Sequence, residues 1–391
     1  MSKSFSPSRG FTLLEVMIAS TLSLLVIAGA VSVGVYLQRR GILEERTMEA
    51  QNAGRAARDM LVPAVQRAGA GFGKARLNVG NNGGVLDQRY AVWVTTNAPF
   101  TGDSTFAPPT GVYAGLISDA LEVWDADSAR AVQLRNTDPA CAGNVWDGTK
   151  VCAYNIPTDG GPASGSLAVV TNPEESTACV GLVGSARSST TLAWAAGVPG
   201  GSLPSGAPCS TPASLGAVFT SGRSLLMPLS VRAYRVNWRT GAPVLEMDPD
   251  GSAGPLGYEP LARDIERIKV RLGVYNPDLP NNDVLFFPDA DAGRPAMDAC
   301  RNSNCWSRIP GDAGTQGTLD YGPGSARDEL MRRVRLVELL ITARTQRADA
   351  DAVRLGADGT TRDEEGNLRD GFKRRHYIQR ISPRNFAISG G

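Results

Sequence analysis

The run VMIASTLSLLVIAGAVSVGVYL, residues 16–37, carries no charge, and one helix of that length spans a hydrocarbon core about 30 Å thick. It predicts a membrane segment. Lys3 and Arg9 precede it and Arg39 and Arg40 follow it, so the distribution of positive charge orients it weakly. A carboxylate, Glu15, stands at the start of the apolar stretch. In lipid an unpaired charge costs roughly 2.5–3.5 kcal/mol at the bilayer centre, so Glu15 needs a partner. If the chain is cut after Gly10, Phe11 becomes a new N-terminus whose α-amino cation could neutralise the Glu15 carboxylate of an adjacent subunit, and assembly would supply the missing counter-charge.

Two simpler readings compete. Ala28-Gly29-Ala30 offers a small-x-small cleavage site behind an apolar run, as in an ordinary secretory signal, and an ordinary single-pass anchor fits the hydropathy equally well. Neither explains an acid next to the apolar segment.

The sequence RGFTLLEVMI, residues 9–18, resembles the type III signal of type IV prepilins and of type II secretion pseudopilins. The resemblance implies cleavage by a prepilin peptidase after Gly10, N-methylation of Phe11, and a role for Glu15 in subunit docking. It also implies that a short basic leader, residues 1–10, stays cytoplasmic while the body is exported.

Beyond Arg40 the helical pattern continues, with Ile42, Leu43, Met48, Ala53, Ala56, Ala57, Met60, Leu61 and Val65 supplying a partly apolar face. Gly41 and Gly54 weaken it, Pro63 predicts a kink or local unwinding, and Gly69-Ala70-Gly71 should end it. The segment GAGFGK, residues 69–74, is superficially similar to a phosphate loop, but Ala68 and Ala75 occupy two positions that a Walker motif requires for other residues. The nucleotide reading is rejected.

The rest of the chain holds most of the 44 glycines and 25 prolines and reads as a β-rich body with long loops. Short apolar stretches at residues 90–95, 120–124, 167–170 and 225–227 predict strands. SVRAYRVNW (230–238), IKVRLGVY (268–275) and RRVRLVELLITA (332–343) predict half-buried antiparallel strands. Residues 348–371 read as a solvated acidic loop between two strands.

The stretches at residues 57–73, 258–275 and 374–388, the last with a terminal Arg-Asn pair at Arg384 and Asn385, resemble PilW-type minor pilins. That resemblance implies an α+β pilin fold: a leader (1–10), a transmembrane and fibre-core helix (11–37), a continuing amphipathic helix (38–70) and a periplasmic β-rich body (71–391). It implies an inner-membrane protein with a cytoplasmic N-terminus, later part of a fibre or its tip. The partners would be other minor and major pilins, the prepilin peptidase, the inner-membrane assembly platform and a large tip adhesin, and the role would be to prime pili for twitching motility and adhesion. A minor pseudopilin of a type II secretion system would look much the same.

Forty basic residues stand against thirty-nine acidic ones, a formal charge of +1, so no global field favours nucleic acid. Six cysteines, Cys141, Cys152, Cys179, Cys209, Cys300 and Cys305, all follow the apolar segment, where an exported domain is oxidised. Fifteen pairings are possible; proximity favours 141 with 152, 179 with 209 and 300 with 305. One histidine, His376, excludes multi-histidine metal sites and reads as surface or strand packing. No nucleophile elbow or Cys-x-x-Cys pair is present, so no enzyme activity and no cofactor are expected. Asp248, Asp250 and Glu259 fall in a window similar to a calcium loop, but Ala253 replaces the turn glycine and Pro255 intrudes, which favours a β-turn. Asp289 and Asp291 form a weaker acidic cluster of the same kind. A membrane-anchored periplasmic enzyme or binding protein remains a third reading, for which no convergent polar set is visible.

Overall fold

The computed structural model describes residues 11–82, 85–141, 143–157, 161–172, 175, 177–198, 203–220, 222–251, 257–275, 284–301, 305, 325–349, 362 and 368–384. The chain divides into two compact units, Met1–Ala50 with Thr345–Lys373, and Gln51–Arg344 with Arg374–Gly391. One helix, α1 (Leu13–Arg67), runs through both. It stays helical through Pro63, whose missing N–H removes one bond near the helix end. The predicted unwinding is therefore not observed.

In the first unit the side chains of the apolar segment are exposed, among them Leu25 at 71% and Val26 at 71%. Farther along α1, Arg46 donates to the carbonyl of Ala348 at 3.4 Å. That carbonyl lies on a chain excursion closed by main-chain bonds from Thr345 to Lys373 and from Asp349 to Gly371.

The second unit holds the core. A large, mostly antiparallel sheet contains β1 (Arg76–Asn82), β2 (Val85–Arg89), β3 (Val92–Thr95), β4 (Ala120–Ala126), β5 (Val132–Gln133), β6 (Lys150–Cys152), β7 (Leu167–Thr171), β8 (Thr177–Arg187), β9 (Thr191–Ala196), β10 (Leu225–Asn237), β11 (Val244–Asp248) and β12 (Glu259–Arg263). Its main path runs β12-β11-β10-β7-β8-β1-β2, with β4 carrying β3 on the other side of β10. Strand β10 pairs with β5 and β7 through its first residues and with β4 and β11 through its last, so it joins the two halves of the sheet. The β1–β8 contact is parallel. A short helix, α2 (Pro212–Val218), is capped by Thr211, whose hydroxyl accepts from the N–H of Ser214.

A second, fully antiparallel sheet has the order β14-β13-β15-β16, from β13 (Ile265–Tyr275), β14 (Val284–Phe287), β15 (Val334–Arg344) and β16 (Arg374–Ile381). Helix α3 (Ala326–Arg332) precedes β15, so the stretch expected to be strand from residue 332 begins as the end of a helix. Ser325 caps it and Asp328 and Glu329 fill its first turn, which favours helix there.

The two sheets meet at Ser118 and Asp119. The N–H of Asp119 donates to the carbonyl of Ile268 at 3.0 Å, while the Asp119 carboxylate accepts from Val270 N–H at 3.0 Å and from Lys269 Nζ at 2.8 Å. A loop dipeptide thus takes the place of a strand beside β13. The far half of α1 buries Ala57, Leu61, Ala64 and Val65, and Ala68 just beyond its end is buried too. The turn that follows hydrogen-bonds to β4 through Gly69 N–H to Trp124 O at 2.9 Å and Ala126 N–H to Ala70 O at 2.9 Å. Gly69 adopts φ +76°, a left-handed conformation open to glycine at the helix end.

Three disulfides, Cys141–Cys152, Cys179–Cys209 and Cys300–Cys305, close segments of this body. Cys179 and Cys209 sit in an apolar cluster with Trp146, Trp194 and Phe219.

Candidate functional site

The sequence-level candidates at the N-terminus begin outside the described residues: the leader 1–10, with Gly10, is not among them. Phe11 is 87% exposed. Just before α1, the hydroxyl and N–H of Thr12 both donate to Glu15 Oε2 at 3.0 Å, while Glu15 N–H donates back to the Thr12 hydroxyl at 3.2 Å. This is a capping box, which satisfies otherwise orphaned N–H groups at a helix start. The spacing Thr-x-x-Glu at residues 12–15 is its sequence signature, and the docking reading of Glu15 alone overlooks it. Both donors converge on one carboxylate oxygen, Oε2.

The helix these residues open is long and apolar enough to cross a membrane. Leu13, Leu14, Val16, Met17 and Ile18 around Glu15 are each more than half exposed. A soluble monomer does not display such a surface without a partner, whether lipid or protein. Against this N-terminus a family model described as the prokaryotic N-terminal methylation motif matches residues 6–31. The N-terminus carries a type IV pilin-like prepilin signal. No curated protein and no solved structure matches the chain. A prepilin-type signal ahead of a long apolar helix and an antiparallel body points to membrane anchoring and to a structural role among other pilin-type subunits and the assembly machinery.

The acidic candidates in the body do not converge. Asp248 ends β11, and Asp250 N–H donates to its Oδ1 at 3.2 Å. Glu259 pairs across the ladder with Met247, so strand alternation places it on the face opposite Asp248. Among the described residues no group of three or more His, Cys, Asp or Glu is placed to hold a metal ion. Burial, then the neighbouring Asp250 carboxyl, pushes Asp248 up to about 7, the response of an acid that keeps its proton. Asp289 is held by Arg294 at 2.5 Å, an arginine pairing that occupies the carboxylate. His376 is exposed on β16, its Nδ1 3.1 Å from the Thr342 hydroxyl.

Sequence reasoning also passed over Arg235. This side chain, 1% exposed, pairs with Asp103 and with Glu246 at 2.8 Å, and its guanidinium lies 3.7 Å from the centre of the Tyr258 ring and 5.1 Å from that of Phe100. Hydrogen bonds from Thr105 and then Arg235 hold Asp103 down at about 2. These contacts pin the loop around residues 100–106 onto β10. Alternation within SVRAYRVNW marks Arg235 as an inward position, but its partners are distant in sequence.

Proposed function

We propose that the chain is a minor pilin of the PilW type, cut after Gly10, methylated on Phe11 and assembled through α1. The observation that carries this reading is a matched N-methylation motif that runs into an exposed apolar helix opening on Glu15. Hydrocarbon covers that helix before assembly and neighbouring helices cover it afterwards, so the same surface serves both states. In the assembled state Glu15 receives the Phe11 ammonium of an adjacent subunit, which removes the cost of an unpaired carboxylate in an apolar bundle. The body then stands outside as an adaptor surface, priming assembly at or near the fibre tip, with twitching motility and adhesion as the consequences. The N-terminus is cytoplasmic and the body periplasmic until extraction into the fibre. The partners are other minor and major pilins, the prepilin peptidase, the assembly platform and a tip adhesin.

The alternative role, minor pseudopilin of a type II secretion system, uses the same N-terminal chemistry. Deleting the gene in its own host separates the two: lost piliation with intact secretion supports the pilus, and the reverse supports secretion.

The direct test is the intact mass and N-terminal sequence of the membrane-extracted protein. A start at methylated Phe11 supports the reading. A start at Val31, or an intact Met1, replaces it with a secreted or a plainly anchored protein.

A further inference from the structure

Tyr377 of β16 turns towards α1, where its hydroxyl meets the carbonyl of Gln51. Strand alternation therefore sends His376, Ile378 and Arg380 to the other face of the second sheet. Register aligns that face into rows across three strands. The central row is Lys269–Leu340–Ile378, with Ile378 62% exposed. Beside it runs Arg271–Glu338–Arg380, in which one carboxylate takes Arg271 at 3.1 Å and Arg380 at 2.8 Å. Arg267 begins the row on the far side. Asp119 answers Lys269 at 2.8 Å and Asp289 stands 3.9 Å from Arg271, so the four cations Arg267, Lys269, Arg271 and Arg380 face three carboxylates, and the face keeps a net positive charge around an apolar centre. An apolar centre inside a charged rim is how protein interfaces are built.

We propose that this face docks the body of another pilin-type subunit, one that presents an apolar side chain flanked by carboxylates. The inference rests on the assembly reading above, since helices packed side by side bring bodies into contact. A second copy of this chain does not fit: the face laid on itself sets arginine against arginine, and like charges directly opposed are destabilising. Guanidiniums at the rim recognise carboxylates as forks, and Ile378 supplies the anchor.

The test places a photo-crosslinking amino acid at position 378 of the full chain in its own cells, with position 154, where Tyr154 is 50% exposed, as the control. The expected result is an adduct to a second chain that itself begins with a prepilin motif, mapped next to an Asp or Glu. Arg267→Glu should lower its yield about tenfold, equivalent to about 1.4 kcal/mol, with the melting temperature of the purified protein unchanged, whereas Arg380→Glu, which also sets a carboxylate opposite Glu338, should lower both the yield and the melting temperature. A lipid adduct alone, a self-adduct, no adduct, equal yield from position 154, or yields indifferent to the charge reversals would each overturn the proposal. N-terminal sequencing of the same material keeps the two readings apart: a processed Phe11 without the adduct sinks only the docking face, whereas an unprocessed chain sinks the assembly reading.

Discussion

The phenolic hydroxyl of Tyr377 donates to the main-chain carbonyl of Gln51 at 3.2 Å, and its ring packs where Gly54 leaves room. A Cβ at Gly54 would lie 2.1 Å from Tyr377 Cε2. Glycine in a helix interior costs about 1 kcal/mol against alanine, so Gly54 is a loss in propensity that permits close approach of helix and strand.

Gly54→Ala therefore sets two effects against each other. Overpacking costs about 1–3 kcal/mol and exceeds the gain of about 1 kcal/mol in propensity, so the chemical-denaturation midpoint should fall. Adding Tyr377→Ala to Gly54→Ala should restore part of the loss, a non-additivity visible in a double-mutant cycle. Tyr377→Phe alone should cost about 1 kcal/mol, the net worth of one hydrogen bond. Additive effects of the pair would mean the ring does not hold the helix.

Asp248 makes stability depend on pH in a direction opposite to that of most carboxylates. Its folded value, about 7, lies above the ordinary aspartate value of 3.8. Between those values the unfolded chain has released the proton and the folded chain still holds it, so the contribution of Asp248 is greatest below about pH 4, falls as pH rises towards 7, and is level above it. Asp248→Asn should thus match the parent near pH 4 and exceed it at pH 8 in thermal melts. Equal pH slopes for the two proteins would show that Asp248 is ionised in the fold.

Arg235 is buried among carboxylates and aromatic rings. Removing one partner of a buried pair costs about 3–5 kcal/mol because the other charge is left without compensation. Arg235→Met, similar in length, should lose that much in urea unfolding and should loosen the loop at residues 100–106 to proteolysis. Arg235→Lys keeps the charge but lacks the planar fork, and should recover only part of the loss.

The disulfides differ in what they constrain. Cys179–Cys209 has a sequence separation of 30 and Cys300–Cys305 one of 5. Loop-closure entropy gives about 3–4 kcal/mol for the longer and about 2 kcal/mol for the shorter. Cys179→Ala with Cys209→Ala also opens the apolar cluster around Trp194, so this double variant should be the less stable of the two on denaturation.

How far the chain could be read in advance follows from where its contacts lie. The long helix was legible because an uncharged run and a helical apolar pattern are local, and strands such as IKVRLGVY were legible from alternation. The start of β15 was misplaced because the helix signal of Ser325 and Asp328 lies just ahead of an apolar stretch that invites an earlier strand. The joint between the sheets was not legible: Ser118 and Asp119 bond to Ile268 and Val270, and nothing local in a loop dipeptide announces a partner that far along the chain. The docking face shows the same limit, since Ile378 and Leu340 become neighbours only through register. At the N-terminus the capping box is local, since Thr12 and Glu15 stand at its sequence spacing.

That capping box stands beside the docking role proposed for Glu15, and substitution tells the two apart. Thr12→Ala removes the side-chain cap and should cost about 1 kcal/mol of helix stability at its first turn, while leaving a carboxylate for an adjacent subunit's amine. Glu15→Gln keeps a capping side chain but removes the charge. If assembly needs the counter-charge, Glu15→Gln should insert in the membrane and fail to enter sheared fibres, whereas Thr12→Ala should enter them at near the parental level. Similar incorporation of both would assign Glu15 to helix capping alone, and the counter-charge argument would fall.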